Sequence, residues 1–264
     1  FELNRPQIVF HAAAYKHVPM LEQQPWKAID NNVLGTQKLV LTSNRYNIER
    51  FVYVSTDKAV RPTSIMGATK QVAEMLIQGQ NACGLSRARY IIVRFGNVIG
   101  SVGSVVPLFK RQINRGGPVT VTHPDITRYF MTIPESCRLT LQAAAMGNGG
   151  EIFLLDMGTP IKIVDMAHDL IRLSGLEPEV DIKIEFIGLR PGEKLYEELT
   201  TEGEGIVATS HEKIMVLQGA TCDLNLLNGK IDELATLAQK QDHKMIMTKL
   251  QEIVPEYQPV ENMR

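Results

Sequence analysis

A hydroxyl, a carboxylate and an amine stand in three consecutive residues, Thr56, Asp57 and Lys58, directly after the apolar run Arg50–Phe51–Val52–Tyr53–Val54–Ser55. A carboxylate beside an amine is what proton transfer requires, because one group can give a proton while the other takes one. Polar side chains after a strand also cap turns by bonding to nearby backbone. Both readings stand on these residues alone. Met66 and Lys70 follow, four residues apart and so on one face of a helix. A lysine there is either aimed at a ligand or part of a solvated face. Upstream, His11–Ala12–Ala13–Ala14 ends another apolar run. Small side chains at such a point let a flat cofactor approach the backbone, or simply pack against a helix.

The elements that must carry these residues alternate. Pro6 to Phe10 leads a strand, Pro25 to Asn47 reads as a helix with Pro25 near its start, and Arg50 to Ser55 is a second strand rich in β-branched and aromatic residues. Ile65 to Cys83 is a second helix, stopped by Gly84, and Tyr90 to Phe95 is a third strand. Strand, helix, strand, helix, strand predicts an α/β fold with a doubly wound parallel sheet, whose ligands bind beyond the carboxyl ends of the strands. After Gly96 the rhythm loosens. Helices are expected over Val105–Arg115, Pro134–Met146 and Val164–Ser174, and strands over Val119–Thr122, Glu151–Asp156 and Ile182–Ile187. From Leu224 the chain reads as charged helices with a frayed tail. The expected division is a partial dinucleotide-binding lobe over 1–96, a smaller mixed α/β lobe with returning sheet elements over 97–223, and a helical segment over 224–264.

Composition narrows the classes. With 44% hydrophobic and 22% charged residues and a net charge of −1, the chain is an ordinary globular one, and no basic run suggests a nucleic-acid partner. Cys83, Cys137 and Cys222 are odd in number and widely separated, which fits a reducing compartment. The six histidines show no metal-ligand spacing, so no metal is expected. No apolar stretch approaches the roughly 18 residues of a membrane span.

Taken together, the motifs resemble the extended short-chain dehydrogenase/reductases. More narrowly, HAAAYKHVPMLE, STDKAVRPTSIMGATK, RFGNVIGSVGSVVPLF, TRYFMTIPE and RPGEKLYEEL are similar to the polysaccharide-biosynthesis UDP-N-acetylglucosamine 4,6-dehydratases, over about the first 200 residues. Met66 stands where the wider superfamily has its tyrosine base, and a thioether takes no proton. A membrane-anchored subgroup of the family carries this methionine. The resemblance therefore implies a domain at the cytoplasmic face of a membrane. An inactive enzyme is the competing reading of Met66.

The reaction so implied uses NAD to oxidise C4 of a UDP-sugar, eliminates water across C5 and C6, and returns the hydride to C6. Lys70 is expected to anchor the nicotinamide ribose, with His11, Ala12, Ala13 and Ser55 beside the cofactor. Thr56 is assigned to the 4-hydroxyl, Asp57 to the acid at the C6 oxygen and Lys58 to the base at C5. That role needs a neutral Lys58, whose pKa Lys70 and the nicotinamide cation would lower. Asn97, Arg128 and Arg190 are expected near the diphosphate, and Glu193 near a ribose hydroxyl. Ser104 and Val105 open a helix suited to an anion, and Lys16 and His17 are placed near the sugar. Relatives often pair through the helices 25–47 and 65–83, so a homo-oligomer is expected.

No GxGxxG occurs, and the chain opens at Phe1 just ahead of an apolar strand. We therefore read it as truncated ahead of its dinucleotide fingerprint, with an exposed sheet edge and weak or no turnover alone. An epimerase or reductase of the same superfamily, and a non-catalytic nucleotide-sugar-binding fragment, are the alternatives.

Overall fold

The computed structural model describes residues 1–84, 86–200, 205–217 and 222–259. Its centre is a six-stranded sheet in the order β1 (Ile8–His11), β2 (Arg50–Val54), β3 (Arg89–Arg94), β8 (Ile152–Leu155), β12 (Ile214–Leu217), β11 (Ile206–Ala208). The first four are parallel, with Ile8 beside Arg50, Phe51 beside Tyr90 and Val93 beside Phe153. Strands buried on both faces are apolar without alternation, which is why the runs around 52 and 92 were legible. β12 and β11 then close the far side antiparallel, an addition that the sequence reading did not contain. β1 lies at the opposite edge, with Ile8 and Phe10 exposed.

Alternate strand residues feed two cores. Phe51, Tyr53, Tyr90 and Ile92 meet Val40, Ala73 and Ile77 of α3 (Gly35–Arg45) and α4 (Ile65–Ala82) on one face. Val52, Ile91 and Val93 meet Leu139, Ala143 and Ala144 of α6 (Ile133–Met146) on the other. The helix expected over 25–47 is built differently. α2 (Pro25–Ala28) runs through a π-helical turn, Ile29–Leu34, into α3. That wider turn lets Asn32 reach back to the chain after β1: its Oδ1 accepts from the Tyr15 N–H at 2.8 Å, and its Nδ2 donates to the Tyr15 carbonyl at 3.0 Å. A short helix, α1 (Val18–Gln23), was also not anticipated.

The smaller lobe holds α5 (Val105–Ile113), α7 (Ile163–Leu173) and the parallel pair β5 (Val119–Val121) and β10 (Ile184–Phe186), around Phe109, Val121, Ile171 and Ile184. Two-residue pairs, β4 (Asn97–Val98) with β7 (Phe130–Met131) and β6 (Thr127–Arg128) with β9 (Ile161–Lys162), tie it to the larger lobe.

The C-terminal segment is an integral layer. Leu227, Ile231 and Leu234 of α8 (Leu224–Gln239) and Ile246, Leu250 and Ile253 of α9 (His243–Ile253) form one cluster with Ile29, Val33, Val72 and Leu76. The outer face of α2, the π turn and α4, which the resemblance offers for self-association, is thus covered by the same chain. The end expected to fray, 260–264, lies outside the described residues.

Candidate active site

The carboxyl end of β2 turns sharply. Thr56 caps a 3-10 turn, Asp57–Ala59, and its hydroxyl both accepts from the Lys58 N–H at 3.4 Å and donates to Asp57 Oδ1 at 2.8 Å. Turn capping and proton chemistry thus share one set of atoms. Two glycines make the turn possible. A Cβ on Gly67 would run into the Lys58 carbonyl oxygen, so only glycine lets α4 begin so close. A Cβ on Gly96, after β3, would lie 2.9 Å from Asp57 Oδ2. Ser64 caps α4, and Glu22 accepts from the Ile65 N–H at 2.7 Å.

Asp57 is fully buried, and its Oδ2 has no hydrogen-bond partner among the described residues. Lys58 Nζ lies 3.0 Å from Asp57 Oδ1, 3.0 Å from Glu197 Oε1 and 3.2 Å from Asn97 Oδ1. These three acceptors match the three donors of an ammonium. Burial works against the Lys58 cation, but Asp57 and Glu197 outweigh it and hold its pKa above the ordinary lysine value. This reverses the sequence expectation of a lowered Lys58. Burial raises the Asp57 carboxyl, with Glu197 adding to the rise against the opposing pull of Lys58, as its expected acid role needs. Burial opposes the Glu197 anion too, yet Lys58 and Arg128 keep its pKa low.

Lys70 is the amine whose pKa falls. It is buried, donates to the Val54 carbonyl at 2.7 Å and sits 4.0 Å from the centre of the Tyr53 ring. Desolvation brings it to about 8, partly opposed by Glu74. Burial, with Lys70 adding to it, brings His11 down to about 4.

A cleft of about 440 Å³ opens beside these groups. Thr56, Lys58, Met66 and Lys70 line it from the sheet side, with Ala12, Ala14 and Ser55. Lys16, His17, Asn97, Ser104, Val105, Arg128, Arg190 and Glu193 line it from the other sides, so most of the expected site residues converge. His11, Ala13 and Asp57 do not line it. His11 is buried against the Thr36 hydroxyl at 2.8 Å, Ala13 is exposed, and Asp57 lies beneath Thr56 and Lys58. The buried hydroxyls of Ser55 and Ser104 have no hydrogen-bond partner among the described residues, which suits a polar ligand.

The two arginines differ. Arg128 Nη1 donates to the Thr127 and Leu195 carbonyls, Nη2 to Lys194 O at 2.8 Å, and its Nε lies 3.3 Å from Glu197. Its fork is committed to the protein. Arg190 is half-exposed, with Nε 3.6 Å from Glu193. Sequence reasoning did not single out Glu197 or Asn32. Glu197 lay within a quoted motif, but nothing distinguished it from Glu198. Among the described residues no group of three metal-ligating side chains comes together, and no helix is long and apolar enough to cross a membrane.

A family model described as polysaccharide biosynthesis protein matches residues 1–219. The chain belongs to that family. It is 58% identical over 210 residues to the capsular polysaccharide biosynthesis protein CapD of Staphylococcus aureus, covering 80% of this chain and 35% of that one. It is 34% identical over 232 residues to a UDP-N-acetylglucosamine 4,6-dehydratase (inverting) of Campylobacter jejuni, covering 84% of this chain and 67% of the relative. A UDP-glucose 4-epimerase of Rickettsia canadensis is 39% identical over 194 residues, covering 73% and 55%. The crystal structure of Pen from Bacillus thuringiensis superposes with a TM-score of 0.74 at 34% identity, covering 86% of this chain and 75% of that one. The chain spans about a third of the length of CapD and of its Bacillus subtilis relative EpsC. Proteins named as a nucleotide-sugar dehydratase and a nucleotide-sugar epimerase are thus both among the relatives that this chain resembles.

Proposed function

We propose that this chain carries the acid–base half of an NAD-dependent dehydratase that converts a UDP-N-acetylhexosamine, UDP-N-acetylglucosamine first, to its 4-keto-6-deoxy form for surface polysaccharide. The observation that carries this reading is the cluster at the end of β2: Thr56 and Lys58 at the cleft, both bonded to one oxygen of the buried Asp57. Removing water from a sugar requires a proton taken at C5 and a proton given at the C6 oxygen, and adjacent lysine and aspartate supply both.

The residues fit a nicotinamide cofactor. Ala12 and Ala14 leave room beside the backbone, Ser55 offers an unpaired hydroxyl, and Lys70 offers an amine for a ribose. NAD, when bound, supplies the redox step at C4 and its reversal at C6. The rest belongs to the protein. Lys70 near pKa 8 is mostly cationic at neutral pH and steadies negative charge developing on O4. Thr56 contacts the 4-hydroxyl, which Met66 cannot do. A proton on Lys58 moves to Asp57, leaving a neutral amine and a carboxylic acid. The amine then takes the C5 proton, and the C5–H electrons form the C5–C6 double bond. The C6–O bond breaks, and the proton of Asp57 reaches the leaving oxygen through the Thr56 hydroxyl. Lys58 and Asp57 return to ammonium and carboxylate. Arg190 holds the diphosphate with its freer fork, while Arg128 shapes the wall and Glu193 orients Arg190. The same reading puts the domain on the cytoplasmic side of a membrane. It also leaves any homo-oligomer to a surface other than the one beneath α8 and α9.

Epimerisation is the second reading, favoured by the relatives of that name. It requires hydride transfer at C4 and leaves the Asp57–Lys58 pair without a task. Mass spectrometry of UDP-N-acetylglucosamine incubated with NAD and the protein separates the two. A product lighter by one water supports dehydration; an isomer of unchanged mass supports the epimerase. UDP affinity without turnover, in the isolated chain and in a protein extended to the length of its relatives, supports a binding fragment and sinks the proposal.

A further inference from the structure

The RPGEKLYEEL segment contributes more than its arginine. Glu197 is buried, with its side chain 2% exposed, yet it lies on no strand or helix of the sheet. One of its oxygens meets two cations: Lys58 Nζ at 3.0 Å and Arg128 Nε at 3.3 Å. Arg128 is itself held by three backbone carbonyls, so it is an immobile anchor. The other oxygen of Glu197 is buried without a partner among the described residues. Lys58 is thereby suspended between two buried carboxylates, one from its own turn and one from a segment far along the chain.

We propose that Glu197 is a positioning residue for the dehydration, which fixes Lys58 Nζ at the cleft and keeps it an ammonium until substrate is in place. The inference rests on the reading above of Lys58 as the C5 base. Its logic is geometric. An ammonium with all three N–H groups engaged by Asp57, Glu197 and Asn97 has no free electron pair to act as a base. Glu197 touches the ammonium itself, with Oε1 3.0 Å from Lys58 Nζ, and its charge stabilises the protonated form of the amine. It therefore opposes proton transfer from Lys58 to Asp57 in the empty site. The charged groups around Nζ are Asp57, Glu197 and Arg128, with Lys194 acting on Glu197 from the same segment. Of these the two carboxylates raise the lysine's pKa and Arg128 lowers it, so the carboxylates prevail. A free amine in an empty, cationic-cofactor site would scavenge electrophiles; a caged ammonium does not.

The test is the pH dependence of Lys58 acylation by trace acetic anhydride in the intact chain, read by peptide mass spectrometry against the exposed Lys110. Only the neutral amine reacts, so the midpoint reports the protonation of Lys58 whether or not the protein turns over. In the unmodified protein the Lys58 midpoint lies above that of Lys110. In Glu197→Gln it falls by about 1–3 pH units, and Glu197→Asp restores most of the difference. In the active protein Glu197→Gln moves the basic limb of kcat, where the proton shared by Lys58 and Asp57 is lost, to lower pH, with KM for the UDP-sugar little changed. A Lys58 midpoint at or below that of Lys110 in the unmodified protein overturns the proposal without any variant. So does a midpoint unchanged in a folded Glu197→Gln. Failure of the dehydration assay alone would refute the reaction assigned above and leave the labelling result to decide the role of Glu197.

Discussion

Replacing Lys58 by methionine keeps the length of the side chain and removes the charge that two carboxylates share. Asp57 Oδ1 and Glu197 Oε1 each lie 3.0 Å from the lost nitrogen. They are then at most about 6 Å apart, and at an effective dielectric of about 20 two such charges repel by about 3 kcal/mol. Arg128 still balances Glu197, whereas among the described residues Asp57 keeps only the Thr56 hydroxyl as a side-chain donor. Stripping one partner from a buried pair typically costs about 3–5 kcal/mol, and we expect a loss in that range at pH 8. The deficit has a signature in pH. Asp57 is raised by burial already, and without Lys58 it rises further. A carboxyl whose folded pKa exceeds its unfolded value of about 4 binds more protons folded than unfolded, so stability falls as pH rises through that interval. Acidification should therefore recover stability in Lys58→Met, beginning at the raised folded pKa of Asp57 and continuing toward about 4. Urea unfolding followed by circular dichroism between pH 5 and 8, on the variant and its parent, measures the difference. Equal stability at pH 8, or a deficit that stays constant with pH, would refute the electrostatic account of the cluster.

Lys70 offers the opposite sign. A lysine lowered to about 8 binds fewer protons folded than unfolded, so the parent gains stability between pH 8 and the ordinary lysine range, and Lys70→Met lacks that gain when the unfolding assay is extended above pH 8. Glu74→Gln breaks the buried fork in which Glu74 accepts from Arg94 Nε at 2.9 Å and Nη2 at 2.7 Å. It should destabilise by about 3–5 kcal/mol at neutral pH. Leu234→Ala in α8 opens the cluster beneath α4 and should cost about 2–5 kcal/mol by denaturant titration, as a core position would; a change below about 0.5 kcal/mol would mean that α8 is not docked.

What the sequence could reveal follows from what each element buries. β2 and β3 were legible because both faces are covered, which leaves only apolar, β-branched residues to serve. β11 is exposed at Ile206 and Val207 and merely extends an edge, so nothing in its composition set it apart from a loop. α1 is six residues with no side-chain cap, too short for a periodic signal. The π turn needs Asn32 to bond with Tyr15, and a pattern of hydrophobic spacing does not register one polar contact. α8 presents Leu227, Ile231, Leu234 and Ala238 on one face, so an amphipathic helix was readable there. Which surface received it was not, because the same stripe would suit a second copy of the chain.

The cluster at the end of β2 shows the same limit more sharply. Thr56, Asp57 and Lys58 are neighbours in sequence, so their chemistry could be read from the letters. The whole of the Lys58 shift could not, since Glu197 adds to the rise that Asp57 causes and arrives from the far lobe. Glu197 and Glu198 are adjacent glutamates in one motif and look equivalent. Glu198 is 39% exposed in its side chain and pairs with Arg61 and Lys194 at the surface, while Glu197 is 2% exposed and grips Lys58. Exchanging only these two charges therefore separates sequence from structure: Glu198→Gln should leave the Lys58 acylation midpoint in place, and Glu197→Gln should move it. Equal effects from both would mean that the long-range field of the segment, and not the contact at 3.0 Å, governs Lys58.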